Sequence, residues 1–487
     1  MRGPGKVEKA RTWRVPAPLA ALLAAAAVMG VAWATMVPAL QAPDEIAHFA
    51  YTQRMAETHE LPQDVVSGTS PYSTEVFVAA DWANLISLVG NLAARPSTNP
   101  ALVTAWRHEE RMLPADARRN GTGSNPAHQN PPLFYTYELI PYEIASHGSF
   151  FDRLLLMRLA CLPLYLATIV FTWLVAGELL PGRRWLQTVA AGVVAVQPQL
   201  AFVGSSVNPD VMLAAIWAAF MWVAIRTVKL GLTTRRVLAI GALSAASALT
   251  HARGFAILLP AAVTLLVSYR RHGNVSRRVL AALAAAGVAA IGAGVAYIAS
   301  GIGGAFTSSG GKPFSLREFA SYLWQFYLPK LPFQDPMIGP HYTYKRGFIQ
   351  TFYGIFGNLE VEFPHWIHSA ELWFSLLLVA GVIVAVALRW RSVRAQGAVA
   401  VVLLSAIFGQ IAALHIAAYR DMLSNPVDPI IVGRYLFPLI TLFGAAVAIV
   451  VSVLPRRIAP YVGVTVVMAG LALELAGLGM TAVRFYA

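Results

Sequence analysis

Long runs of apolar residues alternate along this chain with short polar segments. A run of about 18 apolar residues is long enough to cross a hydrocarbon core of ~30 Å. The pattern predicts about eleven such spans, at residues 17–39, 153–178, 186–204, 208–226, 237–250, 254–269, 279–299, 371–388, 398–418, 436–453 and 459–482. Composition agrees, since 57% of the residues are hydrophobic and only 13% are charged, against about 25% charged in soluble domains. We therefore predict an all-α polytopic membrane protein.

The loops between alternate spans are short and basic. They lie at 182–185, 226–236, 269–278, 389–394 and 455–457. Positive residues favour the cytoplasmic side, so this pattern places the N-terminus in the cytoplasm. Most of the net charge of +13 is then an orientation signal, helped by anionic lipid, and no nucleic-acid partner is needed. The first apolar run has about 23 residues, longer than a signal-peptide core, and is interpreted as an uncleaved helix.

Four regions follow from this topology. Residues 1–16 form a basic cytoplasmic tail, 17–299 a transmembrane core, 300–370 an extracytoplasmic loop or lid, and 371–487 the C-terminal spans. The core includes a large first extracytoplasmic loop, 40–152, in which 42–59, 74–94 and 99–118 have patterns typical of helices at the interface. The single cysteine, Cys161, cannot form an intrachain disulfide and indicates no metal or redox motif.

The first polar cluster directly follows the first span, in "QAPDEIAHFAYTQR". Pro43 suits the first position of a helix, and Asp44 and Glu45 then lie in the first turn, where the helix dipole favours anions. His48 follows Asp44 by four residues and shares its face. The acids either stabilise a helix start or, because they stand above the bundle, contribute to a site.

Two further clusters are predicted on the same membrane face. His128 and Asn130, in "HQNPPLFYTY", either belong to an aromatic belt with turn prolines or face the same cavity as Asp44. Asn208 and Asp210, in "SSVNPDVML", either cap a helix or add a carboxylate to that face.

Two cationic clusters on this face are not explained by the charge rule for loops. His251 and Arg253 lie in the turn "THARGF", and polar residues at membrane depth are costly and tend to mark function. Arg434 and Tyr435 begin the span in "IIVGRYLFPLI", where a snorkelling arginine is the alternative. Arginines beside carboxylates at the lipid boundary suit a lipid phosphate with a general base nearby.

The segment "FYGIFGNLEVEFPHW" precedes the eighth predicted span and is expected to pack over the bundle as a lid. It adds polar candidates whose spacing is not diagnostic of a metal site, namely Glu360, Glu362, His365 and His368. No cofactor is assigned, and a divalent metal is left open.

Five motifs follow one another along the chain, in the order "APDEIAHFAY", "NPPLFY", "SSVNPD", "FYGIFGNLE" and "GRYLFPLI". Through these motifs and their order, the chain resembles an uncharacterised bacterial family of predicted membrane proteins. More broadly, nearly its whole length is similar to the GT-C superfamily of polyprenyl-phosphate-sugar-dependent glycosyltransferases. That resemblance implies a GT-C-like bundle with Asp44 as catalytic base and Glu45 as a supporting or acceptor-binding acid. Many members carry a lysine where this chain has His251 to Arg253.

The function expected from this resemblance is sugar transfer from a polyprenyl-phosphate donor to a cell-envelope glycan or lipid acceptor. It would take place in a bacterial plasma membrane, on the extracytoplasmic face and among membrane lipids, and an aspartate base predicts inversion. Two alternatives stay open. Buried charges also suit a transporter or flippase of lipid-linked glycans, although no inverted repeat is visible, and a non-catalytic envelope-assembly protein would use the acids only to stabilise a helix.

Overall fold

The computed structural model describes residues 15–64, 71–96, 100–273, 276–299, 313–339, 343–424 and 431–487. Most of the predicted basic tail, and residues 300–312 and 340–342 of the predicted lid, lie outside the described residues. The described chain is almost entirely helical, with one small two-stranded sheet. This confirms the all-α class.

Eight helical segments of the described chain are long and apolar enough to cross a membrane. They are Ala17–Met36, Phe150–Leu179, Pro209–Leu230, Ala252–His272, His365–Leu388, Gly397–Leu423, Gly433–Val453 and Ala459–Tyr486. Two of them begin with a 3₁₀ turn, at Ala252–Ile257 and Gly433–Leu439. Each corresponds to a predicted span.

The other three predicted spans are helical but differ in form. The span predicted at 186–204 is interrupted at Gln197, because the following Pro198 disfavours helical geometry at the residue before it. The span predicted at 237–250 is a helix of 17 residues, Thr234–Thr250. The span predicted at 279–299 lies within Arg277–Ala299. The total of eleven spans is therefore not confirmed.

The α-helices are numbered here in chain order. The N-terminal half contains α1 (Ala17–Met36), α2 (Glu45–Thr58), α3 (Thr74–Trp82), α4 (Leu85–Leu88), α5 (Pro100–Met112), α6 (Leu133–Ile144), α7 (Phe150–Leu179), α8 (Arg184–Ala195), α9 (Pro198–Val203), α10 (Pro209–Leu230), α11 (Thr234–Thr250), α12 (Leu258–His272) and α13 (Arg277–Ala299). The C-terminal half contains α14 (Leu316–Tyr327), a π-helical turn (Lys345–Gln350), α15 (Thr351–Tyr353), β1 (Ile355–Phe356), β2 (Val361–Glu362), α16 (His365–Leu388), α17 (Trp390–Ala395), α18 (Gly397–Ser424), α19 (Ile440–Val453) and α20 (Ala459–Tyr486).

The first large loop is a helical layer on the bundle. Helices α2, α3 with α4, and α5 occupy the three segments predicted to be helical, and α6 adds a fourth that packs against α2 and α7. A buried ion network joins this layer to the bundle. The Glu75 carboxylate accepts from Arg153 of α7 (2.7 Å), from Arg118 (3.0 Å) and from Gln53 of α2 (2.7 Å). Each buried charge has a partner, as burial requires.

The second loop is held to the bundle by its hairpin. Strands β1 and β2 pair antiparallel, with Ile355 opposite Glu362 and Phe356 opposite Val361. The Phe356 ring contacts Trp33 of α1, with ring centroids 4.8 Å apart, and lies in the main hydrophobic core. Glu360 in the hairpin turn pairs with Arg484 of α20 (2.7 Å). The hairpin is thereby fixed between the first and last spanning helices.

Candidate active site

One end of the bundle encloses a polar cavity of about 320 Å³. All of the side chains predicted for the site line it except Glu45 and His128. Those that line it are Asp44, His48, Asn130, Asn208, Asp210, His251, Arg253, Arg434 and Tyr435. Sequence reasoning did not single out the remaining lining residues, Ala47, Pro126, Ala127, Gln129 and Pro209.

Four chain segments converge here because each ends or begins a helix at this end of the bundle. Asp44 precedes α2, and Asp210 lies in the first turn of α10. Arg253 and Arg434 each lie in a 3₁₀ turn that opens a spanning segment. These charges were expected on one membrane face, and the structure places them around one cavity.

Asp44 occupies the N-cap position of α2 in left-handed geometry (φ 59°, ψ 12°). The helix begins at Glu45, so Pro43 is not its first residue as the sequence suggested. Aspartate is one of the few side chains that adopt this backbone readily. Its carboxylate makes no capping hydrogen bond. Instead, it accepts from Arg434 Nη2 at 2.6 Å and is 59% exposed.

The ionisation of Asp44 follows from these neighbours. Burial by itself raises the pKa of the carboxyl, but the nearby charge of Arg434, helped by His48 and Arg253, outweighs burial and lowers the pKa below 3.8. A carboxylate stabilised by cations stays charged at neutral pH. Asp44 therefore faces the cavity as an anion.

Glu45, the adjacent acid, has a different environment. It is 1% exposed and forms a two-pronged pair with Arg158 of α7, Oε1 to Nε at 2.8 Å and Oε2 to Nη2 at 2.5 Å. Arg158 also donates to three carbonyls at the end of α1, those of Ala34, Val37 and Pro38, at 2.7–2.9 Å. Glu45 is thus held away from the cavity, and the pair fixes the junction of α1 and α2 that carries Asp44.

Sequence reasoning missed Arg158, although a signal for it was present. An arginine within an apolar span is costly unless it is paired. Arg158 lies inside the predicted span 153–178, so a buried acidic partner could have been sought.

Two carboxylates and two arginines form a chain across the cavity wall. Arg253 Nη2 donates to Asp210 Oδ1 (2.6 Å), Asp210 Oδ2 lies 3.8 Å from Arg434 Nε, and Arg434 Nη2 donates to Asp44. Asp210 is 3% exposed. Asn208 orients it by capping α10, accepting from the Asp210 amide (3.0 Å) and donating to the Pro43 carbonyl (3.2 Å).

Each arginine keeps one nitrogen without a protein partner among the described residues. The Nη1 atoms of Arg253 and of Arg434 are both buried and make no hydrogen bond there. A buried, unpaired guanidinium nitrogen is costly and calls for an explanation. A planar guanidinium suits phosphate or carboxylate oxygens, so the two arginines are candidate ligands for an anion.

The two arginines are placed by close backbone packing and by an aromatic ring. The Arg253 guanidinium lies over the Tyr435 ring, 3.6 Å from its centroid. A Cβ on Gly433 would overlap backbone atoms of Phe348 and Phe352, so only glycine lets this turn approach α15. His251 Nδ1 accepts from the Arg253 amide at 3.1 Å. Burial, followed by the charge of Arg253, lowers the pKa of His251 well below 6.5.

His48 and Asn130, which also line the cavity, belong to a neutral hydrogen-bonded network. His48 Nδ1 and the Tyr135 hydroxyl are 2.9 Å apart, and Asn130 donates to that hydroxyl at 3.0 Å. The Tyr51 ring stacks on Tyr135, with centroids 3.6 Å apart. Burial lowers the pKa of His48 to about 4, against the opposing charge of Asp44. His48 is therefore neutral at pH 7 and available for hydrogen bonding.

His128 and the candidate metal ligands lie elsewhere. His128 contacts the Asn125 carbonyl (2.9 Å) and Asp64 (3.6 Å) rather than the cavity. The four residues considered for a metal each have a separate neighbour in the described chain: Glu360 with Arg484, Glu362 with Arg346, His365 with Lys345, and His368 with Glu371. No group of three or more potential metal ligands occurs among the residues that the structure describes.

A multi-pass helical bundle with a buried, charged cavity at one end is the class of protein defined by this fold and site. The chain belongs to the family described as predicted membrane protein (DUF2142), whose model matches residues 28–443. No curated protein sequence matches it.

Three solved structures are similar to this chain at low identity. ArnT from Cupriavidus metallidurans is 13% identical in the apo state (TM-score 0.46) and 15% identical when bound to undecaprenyl phosphate (TM-score 0.42). Both comparisons cover 96% of this chain and 76% of ArnT. The archaeal oligosaccharyltransferase AglB from Archaeoglobus fulgidus, in complex with an inhibitory peptide and a dolichol-phosphate, is 13% identical (TM-score 0.46) over 96% of this chain and 55% of AglB.

Proposed function

We propose that this protein is a membrane glycosyltransferase that moves a sugar from a polyprenyl-phosphate donor to a cell-envelope acceptor. The single observation that carries this is the pairing, in one cavity, of an exposed and ionised Asp44 with two partly buried arginines whose Nη1 atoms have no partner among the described residues. Such a reaction requires groups that bind the lipid phosphate and a general base beside them. The chain as a whole also resembles the GT-C superfamily, whose members are enzymes of this class.

The arginines are suited to the leaving group. As the bond between the anomeric carbon and the phosphate oxygen breaks, its electron pair and a negative charge pass to the phosphate. Guanidinium groups already held by Asp210, Asp44 and the Tyr435 ring need little reorganisation to accept that charge. Preorganised donors of this kind are a major source of catalysis.

Asp44 is suited to the acceptor. An acceptor hydroxyl oxygen would attack the anomeric carbon and pass its proton to the Asp44 carboxylate. In the free protein, Arg434 keeps the pKa of Asp44 low, which makes it a weak base. A phosphate bound to Arg434 would offset that charge and raise the pKa of Asp44, so donor binding would prepare the base. One base and one displacement give inversion at the anomeric carbon.

Glu45 is proposed as a positioning residue, because its buried carboxylate is held by Arg158 and by the Val207 amide. His48, Asn130 and Gln129 are proposed to contact the sugar or the acceptor, since hydroxyl-rich ligands need neutral donors and acceptors. The extracytoplasmic location follows from the basic loops and is part of the proposal.

The test is a transfer assay with purified protein and a panel of radiolabelled polyprenyl-phosphate sugars and envelope acceptors. Asp44→Asn should lower transfer by about 100-fold or more, the usual effect of losing a general base. Arg434→Ala should mainly weaken use of the donor. Asp81→Asn is the matched control, because Asp81 is exposed on α3 and does not line the cavity.

Full activity of Asp44→Asn would refute the assignment of the base. If no donor and acceptor pair gives transfer, but the protein moves a lipid-linked sugar across proteoliposomes, the transporter alternative holds instead.

A further inference from the structure

A second and larger cavity, of about 600 Å³, lies between α16 and α20. Both helices pack on α19, and α8 and α19 form the floor of the gap through Val193 and Phe443. Trp366 of α16 and Ala472 of α20 line the gap and are exposed. Because exposed faces of spanning helices contact lipid, this cavity is a groove that opens sideways into the bilayer. It is called here the α16–α20 groove.

The groove has the shape needed for a hydrocarbon chain. Its α20 wall presents small side chains, including Ala469, Ala472 and Ala476, while Phe374 and Leu473 contribute bulk. Small residues on spanning helices usually permit close helix packing. Here the helix opposite leaves a gap, so they widen the space between the helices.

One acidic side chain in this apolar lining has an unmet hydrogen bond. Glu371 lines the groove, yet its side chain is only 3% exposed. Its Oε2 lies 2.8 Å from His368 Nδ1, whereas its Oε1 is buried and has no partner among the described residues. In hydrocarbon an unsatisfied acceptor is strongly unfavourable. A ligand that donates a hydrogen bond at this point would remove that cost.

The chemistry of the groove differs from that of the active-site cavity. The latter offers two arginines and suits an anion, while the described lining of the groove contains no cation that could hold a phosphate. A primary ammonium has three hydrogens to satisfy and is costly to bury. A hydroxyl donates one hydrogen and matches the single free Oε1.

The two cavities are adjacent but separate. Tyr353 lines the groove, and the preceding Phe352 packs on Gly433, next to Arg434. The segment from α15 into β1 thus stands between them. A lipid in the groove would therefore lie beside the catalytic centre without entering it.

We infer that the α16–α20 groove binds the apolar chain of an uncharged lipid whose hydroxyl donates a hydrogen bond to Glu371 Oε1. This site stands whether or not the chain is a glycosyltransferase, because it uses none of the residues assigned to that reaction.

The test is photolabelling of the full-length protein in lipid nanodiscs. Four probes share one diazirine-bearing alkyl chain and end in a hydroxyl, a methyl ether, an amine or a phosphate. The hydroxyl probe should label peptides from α16 and α20. It should compete about tenfold better than the ether, since the ether cannot donate a hydrogen bond and leaves the buried Glu371 Oε1 acceptor unsatisfied.

Two variants test separately the binding of the lipid's alkyl chain and the recognition of its head group. Ala472→Trp fills the groove and should reduce labelling by about tenfold, whereas Leu475→Trp, exposed on the same helix but outside the groove, should leave it unchanged. Glu371→Leu should keep labelling but abolish the preference for hydroxyl over ether. If Glu371→Leu does not fold, the comparison of Ala472→Trp with Leu475→Trp still shows whether the groove binds the probe, since both side chains are exposed on α20.

Three results would overturn the inference. The first is labelling by the phosphate or amine probe that equals or exceeds that of the hydroxyl probe. The second is labelling outside α16 and α20, and the third is labelling that Ala472→Trp does not reduce.

Discussion

The two adjacent acids at the start of α2 should differ widely in how much stability the protein loses when their charge is removed. Glu45→Gln leaves the Arg158 guanidinium buried with three carbonyls and no counter-charge. Removing one partner of a buried ion pair costs about 3–5 kcal/mol. Asp44→Asn loses a pair in which Asp44 is 59% exposed, which is worth about 1 kcal/mol or less, and asparagine tolerates the left-handed backbone.

The single cysteine gives a direct assay of this difference. Cys161 is fully buried and lies three residues after Arg158 on α7, so a thiol reagent reaches it only when this region opens. When opening and closing are fast, the labelling rate follows the open population. A penalty of about 3 kcal/mol raises that population by roughly 100-fold, at 1.4 kcal/mol for each factor of ten.

We therefore expect Glu45→Gln to speed the labelling of Cys161 by about 100-fold or more, and Asp44→Asn by about fivefold or less. Transfer activity should fall in Asp44→Asn, in which the fold is retained. If Glu45→Gln labels at the wild-type rate and yet loses transfer, Glu45 acts on the substrate and the positioning role is wrong.

Three other predictions concern the cavity walls. Gly433→Ala forces a Cβ into backbone atoms of Phe348 and should cost about 1–3 kcal/mol, measured by thermal unfolding, with weaker donor use. Tyr435→Leu removes the ring beneath Arg253 and should raise the donor KM about tenfold, whereas Tyr435→Phe keeps the cation–π contact and should stay near wild type. The pKa of His48 is about 4 in the folded protein and 6.5 in the unfolded chain. The contribution of neutral His48 to the free energy of unfolding is therefore complete above pH 6.5 and is lost as the pH falls towards 4, by about 3 kcal/mol in all. His48→Gln should flatten this part of the pH–stability curve.

Much of the fold could be predicted because hydropathy is a local property. Each of the eight helices that qualify as spans overlaps a predicted one. The interruption at Gln197 and the 3₁₀ starts at Ala252 and Gly433 were not predicted. The interruption at Gln197 could have been read from the following Pro198, whereas the turn at Gly433 depends on close contact with a distant segment at Phe352.

The candidate site was predictable in membership but not in roles. Nine of the eleven site residues named from the sequence line one cavity, because the helix ends that carry them meet at one end of the bundle. The sequence placed Asp44 and Glu45 side by side in one predicted helical turn and could not separate their roles. Only the structure shows that the helix begins at Glu45, that Asp44 precedes it in left-handed geometry, and that Glu45 pairs with Arg158 while Asp44 lines the cavity.

The sequence by itself determined the membrane class, most of the spans and the set of polar residues at one end of the bundle, because these follow from apolar length and charge distribution along the chain. Tertiary structure decided which charges pair, which guanidinium nitrogens stay free and where His128 lies. The physical reason is that an ion pair such as Asp210 with Arg253, or Glu45 with Arg158, joins residues far apart in sequence. Its partners are selected by helix packing, which no local pattern records.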